Sequence, residues 1–237
     1  MQAGRLPESG NAMTSLRDGL RLYRCGDFAN NNRKLTMDPA KLIERAKGIC
    51  LSPKTEWEKI AAEPATVGSL FTGYAMILAA IPAIAGVIGS TVFGIQLPII
   101  GTVRTPIGSA LAHAVVAYVL GLAAVYVISL IVNALAPTFD GQKDPIAALK
   151  VVMYSMTPGW LAGILSIIPM LGVLAVIAAF YGLYLLYIGL PKTMKNPETK
   201  SLGYTALIVV CYIVLMVIIG IVIGTVVGAG IAAHRAF

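Results

Sequence analysis

Long apolar runs, each separated from the next by a short polar stretch, set the pattern of this chain. The segments Leu70–Phe93, Ser109–Ala136, Pro145–Ile168, Met170–Leu190 and Leu202–Ala233 are almost free of charge. A bilayer core takes roughly 20 apolar residues per helix. The pattern therefore predicts an all-α polytopic membrane protein with five transmembrane helices over 70–233. Its connections are short: Gly94–Gly108, Pro137–Asp144, a tight turn at Pro169, and Pro191–Ser201. None has room for a folded extramembrane domain.

Upstream the pattern changes. Over 38–50, Leu42, Ile43, Ala46 and Ile49 recur at helical spacing among Lys41, Glu44, Arg45 and Lys47, which predicts an amphipathic helix. Ser52-Pro53 offers an N-cap followed by proline at the first helical position, so a second short helix starts there. It carries Trp57 and Ile60. Residues 38–69 are thus expected to be cytoplasmic amphipathic helices. Two placements are open: a solvated pair packed under the bundle, or in-plane helices with Trp57 at headgroup level. Residues 1–36 are polar, rich in Arg, Gly and Asn, without periodicity or the apolar core of a secretory signal. They are expected to be a disordered leader or a mis-called start, with Met37 as the natural one. They hold six of the 18 basic and three of the 11 acidic residues, so without them the net charge falls from +7 to +4.

Composition agrees with the pattern: 57% hydrophobic, 12% charged, mean hydropathy +0.81. Charge then sets orientation. Lys41, Arg45, Lys47, Lys54, Lys59, Lys143, Lys150, Lys192, Lys195 and Lys200 all fall on one side of a five-span chain. Only Arg104 and Arg235 fall on the other. The positive-inside rule places the N-terminus in the cytoplasm and the C-terminus outside. A rival reading turns the third span into a re-entrant hairpin at Pro158 and leaves four spans. It would put Lys192, Lys195 and Lys200 outside.

No catalytic constellation emerges. Cys25, Cys50 and Cys211 lack metal-ligand spacing, His113 and His234 are isolated, and every acidic residue lies outside the spans. Coupling to an intramembrane carboxylate is disfavoured. No enzyme activity, cofactor or metal is expected, and nothing points to a nucleic acid. His113 is expected to be satisfied by water or a loop carbonyl, Asn133 to cap its helix end, and Lys150 to snorkel toward the headgroups.

Small-residue faces are more informative. Gly220, Gly224 and Gly228 share one face of the fifth span, Gly159 and Gly163 one face of the third, and Ala75, Ala79 and Ala83 the same register of the first. Such faces permit close helix approach, within this bundle or in a homo-oligomer. Tyr181, Tyr184 and Tyr187 fit an aromatic belt, with a lipid or ligand site as the alternative. Pro158 removes one backbone hydrogen bond and predicts a kink, with Tyr154, Ser155 and Thr157 placed to satisfy the freed groups.

Three strings give the chain a resemblance. They are Ser52-Pro53 with Trp57, the third-span MYSMTPGW (Met153–Trp160), and YGLYLLYIGLPKTMKNP (Tyr181–Pro197) closing the fourth span. Over about 38–233 the chain resembles the Yip-domain family, the Ypt/Rab-interacting membrane proteins, whose third span carries a similar Tyr-Ser-x-x-Pro pattern. The resemblance implies a five-helix bundle with a cytosolic N-terminus and, for eukaryotic members, vesicle trafficking and binding of prenylated Rab GTPases. The family's acidic-aromatic motif of the Asp-Leu-Tyr-Gly-Pro type is missing here and the cytosolic part is short. A Rab-type GTPase is therefore not expected as partner, and the chain is most similar to the short bacterial members. The expected role is a non-enzymatic membrane scaffold or interaction protein organising lipid or protein partners. Trp57, Lys192, Lys195 and Lys200 are the expected cytoplasmic contacts. The alternative is a small-solute transporter or channel, which a polar cavity at the bilayer midplane would indicate.

Overall fold

The computed structural model describes residues 39–97, 101–168 and 171–235, and side chains among these except at 39, 95–97, 172, 173 and 226–235. The 1–36 leader, Met37 and the Pro169 turn lie outside the described residues. Helices α1 (Pro39–Leu51) and α2 (Pro53–Ala62) form an N-terminal hairpin. Five helices long and apolar enough to cross a membrane follow.

The first, α3, is continuous over Val67–Phe93. It starts at a capping box in which the Thr66 hydroxyl accepts from the Ser69 amide at 3.2 Å. Two of its turns, Phe71–Ala75 and Gly89–Phe93, widen to π-helix. A two-stranded antiparallel hairpin, β1 (Ile95–Leu97) with β2 (Gly101–Val103), fills the first connection and pairs Ile95 with Val103. Helix α4 (Ile107–Leu135) ends in a 3-10 turn, Ala136–Phe139, stopped by Asp140 in the left-handed conformation.

The third span is broken. Asp144 caps α5 (Pro145–Ser155) by accepting from the amides of Ile146 at 2.9 Å and Ala147 at 3.0 Å. Met156 (φ −80°, ψ −9°) separates it from α6 (Thr157–Ala162), which tightens to a 3-10 turn over Gly163–Ile167. Pro158 thus stands in the first turn of a new helix, where its missing N–H leaves nothing unsatisfied. The whole segment still crosses as one span, Pro145–Ile167. The re-entrant, four-span alternative is not what the chain adopts.

Helix α7 (Gly172–Met194) runs through Pro191 rather than ending there, and Lys195 (φ 55°) stops it. The last helix, α8, spans Glu198–Arg235. Packing sorts the spans. The most apolar window of Pro145–Ile167 is 61% buried, against 6% in Glu198–Thr225. The broken third span is therefore the centre, with α3, α4 and α7 around it, and α8 lies on the outside against α4 and α7. Tyr204 ties α8 down: its ring stacks on Phe139 at 4.8 Å and its hydroxyl donates to the Val132 carbonyl.

Candidate functional site

Two features stand out from this scaffold: the seat of the N-terminal hairpin, and a cleft between the spans. The seat is built around Trp57, which is fully buried. Its ring meets Tyr154 edge-on at 6.3 Å and lies so close to Gly189 of α7 that an added Cβ there would sit 2.6 Å from it. Tyr154 in turn packs on Tyr74 at 4.7 Å, and the Tyr74 and Thr157 hydroxyls are 2.7 Å apart. Of the sequence-predicted patch at Tyr154, Ser155 and Pro158, Tyr154 thus receives the hairpin. The detail differs from the expectation. The Thr157 hydroxyl meets Tyr74 rather than a freed carbonyl, and the Ser155 hydroxyl has no hydrogen-bond partner. The Ser155 carbonyl faces Gly182, where an added Cβ would stand 2.7 Å away.

Polar bonds fasten the hairpin. Arg45 of α1 donates to Glu56 at 2.6 Å and to Glu63 at 2.6 Å, and Lys59 reaches Glu56 at 3.1 Å. Burial opposes the Arg45 charge, but the hydrogen bond and charge of Glu63, with the charges of Tyr154 and Glu56, outweigh it and raise its pKa. Lys150, five residues into α5 after Pro145, is buried and does not snorkel. Its ammonium donates to the carbonyls of Ile60, at 2.8 Å, and Glu63. These are orphan acceptors at the end of α2, which a buried cation satisfies. At the other end of the hairpin the Tyr181 hydroxyl donates to the Cys50 carbonyl at 2.7 Å. Tyr181 lies thirteen residues before Met194, about 20 Å down α7 at 1.5 Å per residue. The hairpin is therefore wedged along α5, α6 and α7. Trp57 is buried by protein. Burial also raises the Cys50 thiol pKa, which disfavours the thiolate.

The cleft lies between the spans. One cavity of about 610 Å³ lies between α3 and α4, with Trp160 and Tyr212 at its inner wall. A second, of about 590 Å³, lies among α5, α6, α7 and α8. Both are lined by Pro82, Met156, Trp160 and Tyr212. Their walls are overwhelmingly apolar and carry no Asp, Glu, Lys or Arg. Polar groups collect toward the β-hairpin end, at Ser90, Thr105, Ser109 and His113.

The other expected site residues scatter. Lys192 pairs with Glu58 at 3.2 Å and Lys200 with Asp140 at 2.5 Å, while Lys195 is exposed and unpaired. These lysines and Trp57 do not form one contact surface. Gly163 does make a close approach: an added Cβ would stand 2.5 Å from Pro82 of α3. Gly159, Gly220 and Gly224 do not pack within the chain, since nothing lies within 4 Å of an added Cβ at any of them. The physical reason for the last two is the peripheral place of α8. The surroundings of Gly228 lie outside the described side chains. Asn133 leaves its Oδ1 buried and unpartnered, so it is not the helix cap expected of it. Sequence reasoning missed Gly182 and Gly189, whose spacing matches no small-residue motif, and Lys150 as a fastener. Among the described residues no group of three or more His, Cys, Asp or Glu could hold a metal ion.

The geometry accounts for why helices and hairpin form one unit. The Yip1 domain family profile matches residues 47–221, which takes in most of that hairpin, four spans and most of the fifth. The chain belongs to the Yip1 domain family. Like the match itself, the Trp57 seat makes the hairpin part of the Yip1 domain rather than an appendage. The chain is also 26% identical over 172 residues to the inner membrane protein YohC of Escherichia coli K12, covering 71% of this chain and 88% of that protein. It is equally similar to YohC of E. coli O6:H1 strain CFT073. No solved structure matches significantly.

Proposed function

We propose that this Yip1-domain protein is a non-enzymatic binding protein of the bacterial inner membrane that acts as a scaffold for lipid or protein partners and does not conduct a solute. The observation that carries the reading is the character of the interior. A transport path needs polar or ionisable groups at the midplane. The two cavities offer hydrocarbon walls, and the only buried ammonium among the described residues, Lys150, is consumed in closing α2. The similarity to YohC, an inner membrane protein, supports the location. The charge asymmetry supports a cytoplasmic N-terminus.

The contact region in this reading is the hairpin and the connections beside it. Of the ten basic residues on that side, Arg45, Lys59, Lys150, Lys192 and Lys200 spend their charge on internal partners. Lys41, Lys47 and Lys54 on the hairpin, with Lys143 and Lys195 on the connections, stay exposed and unpaired. These five would attract anionic headgroups or an acidic partner, at about 1 kcal/mol for each close to the surface. The test is reconstitution into liposomes of phosphatidylethanolamine and phosphatidylglycerol. The proposal expects no flux of ions or small metabolites above empty liposomes. It also expects the anionic lipid retained through purification to fall when Lys41, Lys47, Lys54, Lys143 and Lys195 are neutralised together. Specific solute flux would replace the binding reading with the transporter.

A further inference from the structure

We propose that the interhelical cleft is a binding site for one phospholipid, with an acyl chain lying between α3 and α4 and reaching Trp160 and Tyr212, and the phosphate held at the Arg104 end. This deepens the binding reading by naming a ligand, and it rests on that reading only in requiring an apolar, non-conducting interior.

Shape is the first argument. Along α4 the lining of the first cavity runs from Ser109 to Val125. At 1.5 Å per residue that is about 24 Å, a length that an extended acyl chain fills and a compact solute does not. Each cavity falls within the roughly 300–1,000 Å³ of small-molecule sites.

The second argument concerns small residues. Gly86 of α3, Gly121 of α4 and Gly159 of α6 all line the cleft, and none has an atom within 4 Å of an added Cβ. A glycine in a span is expected where two backbones touch. These three do the opposite. They hold space open, and each costs helix propensity of roughly 1 kcal/mol relative to alanine in water-soluble hosts. Their absent side chains make room for something that is not protein.

Polarity along the cleft supplies the third. The deep walls are apolar, whereas Ser90, Thr105, Ser109 and His113 gather at one end. That is the profile of an amphiphile: hydrocarbon inside, headgroup at the mouth. Arg104 immediately precedes Thr105, is exposed, and makes no ion pair or hydrogen bond among the described residues. A lipid phosphate would be its partner. Between spans, bilayer lipid is also the occupant present at the highest concentration.

The test uses the full chain in phosphatidylethanolamine liposomes doped with phosphatidylglycerol bearing a diazirine near the end of one acyl chain. Irradiation is expected to label peptides containing Trp160 or Tyr212 above the label on the lipid-facing side of α8. In a Gly121→Leu, Gly159→Leu double variant that labelling should fall at least tenfold. The variant has open space for both side chains, so thermal unfolding should be unchanged or improved, and a stability control separates occlusion from misfolding. In Arg104→Gln the labelling should fall severalfold with either phosphatidylethanolamine or phosphatidylglycerol as carrier of the diazirine. A diazirine fatty acid, lacking the phosphate, should label the cleft more weakly than either. Labelling that is even over all spans, or that survives the glycine variants, overturns the inference. So does stronger labelling by the fatty acid. None of these results depends on solute flux, so this inference can fail while the binding reading stands.

Discussion

Trp57 and Lys150 show how single residues fix the hairpin to the bundle. Removing a fully buried indole costs about 3–5 kcal/mol in a packed core. Trp57→Ala should therefore release α1 and α2 while leaving the spans inserted. Limited proteolysis of reconstituted protein should then cut within 39–66 much faster than in the wild type. Lys150→Met keeps most of the volume but strips the Ile60 and Glu63 carbonyls of their donor. The expected cost is roughly 1–3 kcal/mol, read as a lower melting temperature in detergent. Were Lys150 snorkelling to headgroups, as its place near a span end suggests from the sequence, the same change would be nearly silent. The sequence shows a lysine one turn into an apolar run. It does not show that the end of another helix lies within reach, because that contact joins positions about 90 apart in the chain. The same limit explains Trp57. Amphipathic spacing gives α2 a buried face but does not say whether protein or lipid buries it.

Glycine placement separates the elements. Gly163 and Gly182 sit where another backbone or proline comes within contact, whereas Gly220 and Gly224 face away from the chain. Gly163→Leu and Gly182→Leu should each destabilise the bundle by more than about 2 kcal/mol through overpacking. Gly220→Leu and Gly224→Leu should leave its melting temperature unchanged. If α8 mediates a homo-oligomer, Gly224→Leu will also reduce the particle size in detergent, and size-exclusion chromatography with light scattering reads that directly. At this scale much was legible in the sequence. Span number and approximate bounds follow from apolar length alone, because a bilayer imposes a minimum. The Ser52-Pro53 and Asp144-Pro145 starts follow from cap chemistry. The GxxxG pattern, by contrast, identifies a helix face without naming what covers it. The helix break at Met156 was anticipated near Pro158 because proline cannot continue a hydrogen-bond ladder. Its partner Tyr74, 83 residues away, had no local signal.

The whole molecule is a central broken span ringed by four others, with a helical hairpin packed on it and an apolar cleft between the spans. Hairpin and cleft both meet the broken span near its break. Tyr154 faces the hairpin, whereas Met156 and Trp160 line both cavities. A device that senses the membrane interior and reports to the cytoplasmic side would need such a junction, and orientation decides whether the hairpin is on that side. Ten basic residues against two predict that it is. Single cysteines at Lys195 and after Phe237 in a chain lacking Cys25, Cys50 and Cys211 should label in opposite ways. Lys195 should react with an impermeant maleimide only after the cells are opened, and the C-terminal cysteine in intact spheroplasts. Replacing Cys50 is mild for the test because its structural bond is made by the backbone carbonyl, which any side chain retains. If Lys195 reacts from outside, the hairpin and the five unpaired lysines on its side face the periplasm. The cytoplasmic contact surface would then have to be abandoned. The fold, the seat of Trp57 and the cleft would stand, because they depend on which residues touch and not on which compartment they face.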